Sequence, residues 1–220
     1  MTATVPDSQA LATLGEAVRS RLAQNPAVYR VPDHRIEMFA IGDFLSGDEC
    51  ARLCAMIDAA ARPSALHELD YASGFRTSYS GDLDPRDSFV AGISARIDAL
   101  LGVAAEIGEP VQGQRYLPGQ QFKPHNDWFY VTVGYWPEEA ARGGQRSWTT
   151  MAYCSPVEAG GATAFTLLGI EIEAKAGVLL IWNNALPDGH PNEATLHAGL
   201  PVEAGAKYII TKWYRTRAFG

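Results

Sequence analysis

Ala206-Lys-Tyr-Ile-Ile-Thr-Lys-Trp-Tyr-Arg-Thr-Arg217 is the stretch on which the fold turns. It is dense in β-branched and aromatic residues and holds neither proline nor glycine, so it favours an extended chain long enough to cross a whole sheet. Strand alternation puts Lys207, Ile209, Thr211, Trp213 and Arg215 on one face and Tyr208, Ile210, Lys212 and Tyr214 on the other. If the first face looks inward, it carries the Lys207 ammonium among largely apolar neighbours. A buried ammonium is costly unless paired, so an anionic ligand would account for it. A lysine exposed on an edge strand would account for the same residue with no ligand at all.

Upstream runs share this β-rich character: residues 112–117, 146–154, 162–166 and 178–182. Short strands with no helical pattern between them predict a sandwich or barrel. Helical patterns gather nearer the amino terminus. An amphipathic stretch over residues 8–23 ends at the breakers Asn25 and Pro26, and a short strand follows around residues 36–41. Ser46-Gly-Asp-Glu49 has the form of a capping box and opens a helix over residues 47–61, with Cys50, Leu53, Ile57 and Ala60 at helical spacing. A further helix over residues 88–101 carries Val90, Ile93, Ile97, Leu100 and Leu101 on one face and stops at Gly102. These last two helices are expected to back a sheet. The fold class is therefore mixed α+β, mainly β, with residues 1–43 as a lead-in segment packed on the core and 44–220 as the main domain. The aromatic run over residues 128–144, WFYVTVGYWPEEAARGG, is longer than a hairpin connection needs. It reads equally as a lid over a site or as a surface hairpin filling its own core.

Composition bounds the function. A chain of 220 residues, 47% of them hydrophobic, supports one domain with a substantial core. A formal charge of -7 weighs against a sequence-independent nucleic-acid binder, which needs a surplus of Lys and Arg. Cys50 and Cys54 sit four apart in a helical pattern, where disulfide geometry is rarely met, and Cys154 is left odd, so a reducing compartment is expected. The first residues lack a basic region followed by an apolar core, and no apolar run approaches the roughly 20 residues that cross a bilayer. The expectation is a soluble, cytoplasmic protein with neither a membrane nor a nucleic-acid partner. Oligomeric state is not legible.

The chemistry starts at His125-Asn126-Asp127. In an extended segment residues i and i+2 point to the same side, so an imidazole and a carboxylate can converge on one ion, although an isolated His-x-Asp is a weak signal. His197, in a separate β-rich segment, would complete two histidines and one carboxylate, the facial triad of non-haem iron oxygenases. That triad leaves three positions open on an octahedral metal, enough for a bidentate 2-oxo acid and dioxygen. A structural zinc site would use four ligands, usually with thiolates, and no cysteine pair here has that spacing. His190 sits in a Pro/Gly-rich turn and reads as exposed, His34 and His67 as structural or exposed, and Cys154 as a small core hydrophobe.

Taken together, Tyr116-Leu-Pro-Gly-Gln-Gln-Phe-Lys-Pro-His-Asn-Asp127, Gly143-Gly-Gln-Arg146-Ser-Trp-Thr149, Gly160-Gly-Ala-Thr163-Ala-Phe165 and Leu196-His-Ala-Gly-Leu-Pro-Val-Glu-Ala-Gly-Ala-Lys207 resemble prolyl 4-hydroxylase catalytic domains. The resemblance runs from about Phe44 to Arg217 and includes Phe44-Leu-Ser-Gly-Asp-Glu-Cys50 and Phe75-Arg-Thr-Ser78. It implies a double-stranded β-helix, the cupin-like jelly roll, with iron(II) on His125, Asp127 and His197. It also implies 2-oxoglutarate held by Lys207 with Tyr116 and Thr149 as helpers, dioxygen as second co-substrate, and ascorbate as an auxiliary. Arg146 and Trp213 would face the substrate, and Trp128 and Tyr130 join them as candidate pocket residues because aromatic faces suit proline and extended peptides. Three departures stand out: Phe122 where the family commonly has tyrosine, Ala162 in the Gly-Gly-Glu-Thr turn, and the long aromatic loop. The reading that follows is a hydroxylase of prolyl residues in a protein or peptide. Beside it stand a hydroxylase of a free amino acid or other small molecule and a non-catalytic metal-binding scaffold. A nucleic-acid demethylase is disfavoured by the acidic balance and by lysine at position 207, where such enzymes characteristically use arginine.

Overall fold

The unbroken hydrophobic runs of the sequence encode a sheet that is covered on both faces. In the computed structural model, which describes residues 5–64 and 74–220, the elements follow the chain as α1 (Ser8–Ala23), β1 (Tyr29–Arg30), β2 (Met38–Ile41), α2 (Gly47–Ala60), β3 (Arg62–Pro63), β4 (Tyr79–Asp82), α3 (Ser88–Leu101), β5 (Gln112–Tyr116), β6 (Phe122–His125), α4 (Trp136–Ala141), β7 (Arg146–Tyr153), β8 (Ala159–Gly160), β9 (Thr163–Phe165), β10 (Ile170–Ile172), β11 (Leu179–Asn183), β12 (His197–Gly199), β13 (Val202–Ala204) and β14 (Lys207–Arg215). Eight strands form the main antiparallel sheet in the order β1-β2-β11-β7-β14-β5-β4-β3. Four form a second sheet, β10-β9-β12-β6, and β13 pairs with β8. The two larger sheets face each other as a jelly roll, the architecture the strand pattern and the resemblance imply.

Period-2 alternation sorts the core into two layers. Phe39, Trp148, Ile181, Ile210 and Tyr214 point outward from the main sheet and meet Val18 and Leu22 of α1, Leu53 and Ile57 of α2, and Ile93 and Ile97 of α3. Their neighbours Met38, Met151, Tyr153, Leu180, Trp182 and Ile209 point inward and pack with Phe165 and Val202. Because both faces are buried, the strands read as continuous apolar stretches rather than as polar–apolar alternation.

The helices start and stop where their caps lie. Ser46 accepts from the Glu49 N–H while the Glu49 side chain accepts from the Ser46 N–H, the reciprocal capping box. Gly102 closes α3 in the left-handed region at φ 70°. Gly113 lets α2 lie close on β5, since a Cβ there would meet Ile57 Cγ1 at 2.5 Å. The lead-in segment contributes β1 and β2 to the main sheet, with β2 paired to β11. The run over residues 128–144 is not a hairpin. It contains α4, whose Trp136 and Ala140 bury with Phe129 into a small cluster of their own. His34 is exposed, as is His190, which sits beside Asp188. His67 lies outside the described residues.

Candidate metal centre and cleft

Cross-strand register places the metal-ligand candidates. The end of β6 pairs with the start of β12 so that His197 lies opposite His125, and two residues on, Asp127 is buried beside them. The ligand atoms of the three residues lie within 4.8 Å of one another, with His197 Nε2 3.9 Å from Asp127 Oδ2. Each imidazole is oriented from behind. His125 Nδ1 is 2.9 Å from the Lys123 carbonyl and His197 Nδ1 is 2.9 Å from the Thr195 carbonyl. With Nδ1–H donating to these acceptors, each Nε2 keeps its lone pair for an ion. Burial and the neighbouring His197 ring hold the His125 imidazole well below its ordinary pKa, so it is the neutral, ligating form. Among the described residues this is the sole cluster of three such ligands, and two imidazoles with one carboxylate fit a ferrous ion.

Behind the triad is an inner chamber lined by Tyr116, Met151, Thr163, Trp182, Lys207 and Thr211, among others. Lys207 opens β14 with only 2% exposure. Its Nζ donates to Thr163 Oγ1 at 3.1 Å and lies 5.5 Å and 5.7 Å from the centres of the Tyr116 and Tyr153 rings. No carboxylate among the described residues meets it, and burial alone pulls the ammonium down to about 7. Here is the inward lysine that the strand alternation allowed. The Tyr116 hydroxyl donates to Gln114 Oε1 at 2.8 Å, and Gln114 Nε2 donates to Thr211 Oγ1 at 3.2 Å.

Thr149 takes a different place from that expected of a co-substrate helper. Its hydroxyl donates to Asp127 Oδ2 at 2.8 Å and accepts from Asn184 Nδ2 at 2.8 Å, and it does not line the Lys207 chamber. The physical reason is register: Thr149 stands opposite Trp182 on β11 and Trp213 on β14, next to the metal ligands rather than at the Lys207 end of the sheet.

In front of the triad an outer cleft of about 660 Å³ is walled by Phe75, Arg76, Trp128, Tyr130, Arg146 and Trp213. All four sequence-derived substrate candidates line it. Trp128 and Tyr130 rings are 4.5 Å apart, and Arg146 lies 4.0 Å over the Trp213 ring. The Arg146 guanidinium is already committed, because Nε and Nη2 each donate to a Glu109 oxygen at 2.7 Å. Arg215 joins the same network through Glu109 at 2.5 Å and Glu139 of α4 at 2.6 Å. Two residues escaped the pattern reading. Glu109 lies in a Gly-Glu-Pro bend with no periodicity to flag it. Arg76 was visible only as part of the Phe75–Ser78 motif, with no role attached.

The profile of the 2OG-Fe(II) oxygenase superfamily matches residues 111–215. Prolyl 4-hydroxylase 1 of Arabidopsis thaliana is 31% identical over 202 residues, covering 82% of this chain and 69% of that protein. The structure is similar to a viral collagen prolyl hydroxylase from Paramecium Bursaria Chlorella virus-1 in complex with 2OG, at TM-score 0.63 and 28% identity, over 80% of this chain and 94% of that one. It shares its fold with a Trichoplax adhaerens prolyl hydroxylase bound to a hypoxia inducible factor peptide fragment, at TM-score 0.61 and 15% identity, over 94% of this chain and 91% of that one. The chain belongs to the 2OG-Fe(II) oxygenase superfamily as a prolyl 4-hydroxylase-like dioxygenase that uses iron(II) and 2-oxoglutarate.

Proposed function

We propose that the protein hydroxylates prolyl residues, with His125, Asp127 and His197 holding iron(II), Lys207 receiving the distal carboxylate of 2-oxoglutarate, and the aromatic outer cleft receiving the substrate. The observation that carries this reading is one line of side chains: a buried ammonium that meets no carboxylate among the described residues, in an inner chamber, then the triad, then an aromatic outer cleft. When bound, iron, 2-oxoglutarate and dioxygen supply the oxidation, in which decarboxylation to succinate is coupled to hydroxylation of a substrate C–H bond. The chain supplies geometry. Thr149 steadies Asp127, the Lys123 and Thr195 carbonyls fix the two imidazoles, and Trp182 and Phe165 close the apolar wall beside His197. The stacked and edge-on rings of the cleft suit the flat, apolar pyrrolidine of proline. The free thiols of Cys50, Cys54 and Cys154 support a reducing, cytoplasmic setting.

An anaerobic titration of apoprotein with iron(II) and 2-oxoglutarate tests the centre without knowledge of the substrate. The visible metal-to-ligand charge-transfer band is expected in wild type, absent in His125→Ala, and reached only at far higher 2-oxoglutarate in Lys207→Ala. A folded wild type without the band would leave a scaffold protein as the better description.

A further inference from the structure

We infer that the substrate carries a free carboxylate on the prolyl residue to be hydroxylated, and that Arg76 receives it; this rests on the prolyl reading above. The buried and half-buried cations around the cavity fall into two groups. Arg146, Arg215 and Lys212 each meet a carboxylate: Glu109 at 2.7 Å, Glu109 and Glu139 at 2.5 and 2.6 Å, and Asp98 at 2.5 Å. Two cations lining the cavity meet none among the described residues, Lys207 at its inner end and Arg76, which borders both the inner chamber and the outer cleft. The distal carboxylate of 2-oxoglutarate answers the first. A substrate anion would answer the second.

Among the described residues the hydrogen-bond partners of Arg76 are neutral, and the carboxylate that acts on its charge is Asp127, a metal ligand. Arg76 Nε donates to Ser78 Oγ at 3.1 Å and its Nη2 to Gln112 Oε1 at 3.3 Å, and its Nη1 makes no hydrogen bond among the described residues. The guanidinium lies 4.6 Å over the Phe122 ring, which in turn stacks on the His125 imidazole at 3.5 Å. The charge therefore stands one ring away from a metal ligand, on the border between the chamber and the cleft. Trp128 and Trp213 add buried indole N–H groups with no acceptor among the described residues, and both line the same cleft. The cleft thus offers donors, while the carboxylate that lines it, Asp127, belongs to the metal triad, and Glu109 behind it is spent on two arginines. A peptide carbonyl would satisfy a donor but bring no charge, whereas a carboxylate takes the guanidinium fork and neutralises it. In proline the carboxylate is a few bonds from every ring carbon. A ring held over the metal therefore keeps its carboxylate near Arg76.

The test compares L-proline, acetyl-Ala-Pro-OH and acetyl-Ala-Pro-NH2 as substrates of the iron-loaded enzyme, reading hydroxylated product and substrate-dependent succinate in wild type, Arg76→Gln and Arg76→Lys. The charge-transfer band serves as the check that each variant folds and loads. Expected is a preference of about 30-fold or more in kcat/KM for acetyl-Ala-Pro-OH over its amide. Arg76→Gln should erase that preference by slowing the acid alone, Arg76→Lys should restore part of it, and the KM for 2-oxoglutarate should stay where it was. Rates for L-proline and acetyl-Ala-Pro-OH decide whether the carboxylate belongs to a free imino acid or to a peptide end. Equal turnover of acid and amide would overturn the inference and leave the prolyl reading intact. So would a KM increase for 2-oxoglutarate in Arg76→Gln, which would assign the arginine to the co-substrate. Turnover of none of the three, with the band present, would remove the prolyl reading and this inference together.

Discussion

A single hydroxyl sets the orientation of the metal carboxylate. Thr149 Oγ1 accepts from Asn184 Nδ2, so its own proton is directed at Asp127 Oδ2, both contacts being 2.8 Å. Thr149→Val keeps the shape and removes the link, leaving a buried amide and a buried carboxylate each short of a partner. Groups that orient a metal ligand typically contribute 10–100-fold to metal affinity, so Thr149→Val should weaken iron(II) binding by about that factor while Thr149→Ser retains it. An anaerobic iron(II) titration of the two variants reads this directly. Unchanged affinity in the valine variant would mean that packing alone holds Asp127. That role was not legible from the sequence, because the rotamer of one threonine is chosen by tertiary neighbours. The triad was half legible. His125 and Asp127 share a side by i, i+2 spacing, but their meeting with His197 depends on the register of β6 against β12, which no local pattern encodes.

At the level of elements, legibility follows burial. β7 and β14 were read within a residue or two because both of their faces are apolar or inward, and α1, α2 and α3 because their caps and stripes agree. β4, Tyr-Ser-Gly-Asp, was not read: its residues are only partly buried or exposed, and it is a strand through its backbone pairing with β3 and β5. The helix α4 did leave a signal, a proline in its first turn followed by Glu138 and Glu139, which the surrounding aromatic run obscured. This helix is tied to the end of β14 by the buried Glu139–Arg215 pair at 2.6 Å. Removing one partner of a buried pair leaves an uncompensated charge, and Glu139→Ala should cost about 3 kcal/mol of stability. Hydrogen exchange should locate the loss, with faster exchange over residues 128–144 than over α2. Uniform acceleration across both regions would show instead that the pair holds the whole fold, not the cleft wall.

On the scale of the whole molecule, Lys207 couples folding, pH and co-substrate. Its ammonium ordinarily titrates at 10.5, and burial lowers it to about 7 in the folded apoprotein. Below pH 7 the folded and unfolded chains both carry the proton, and the full penalty of burying the charge is present. Between pH 7 and 10.5 the unfolded chain still holds a proton that the folded chain has released, so this residue's contribution to stability rises with pH, by about 1.4 kcal/mol per pH unit at its steepest. Urea unfolding of apoprotein at pH 6.5, 7.5, 8.5 and 9.5, beside Lys207→Met, isolates the effect, since the other titrating groups are common to both chains. The wild-type curve should climb relative to the variant, which lacks the buried charge and should be the more stable of the two at pH 6.5. Binding of 2-oxoglutarate reverses the preference: its carboxylate favours the protonated amine, so binding above pH 7 takes up a proton. Apparent affinity for 2-oxoglutarate in anaerobic, iron-loaded wild type should therefore fall with rising pH, by up to about tenfold per unit. The Lys207→Met protein should bind weakly and without that slope. A parallel pH dependence in the two proteins would mean that the lysine stays charged throughout the range, and hence that its counter-ion is already part of the folded chain.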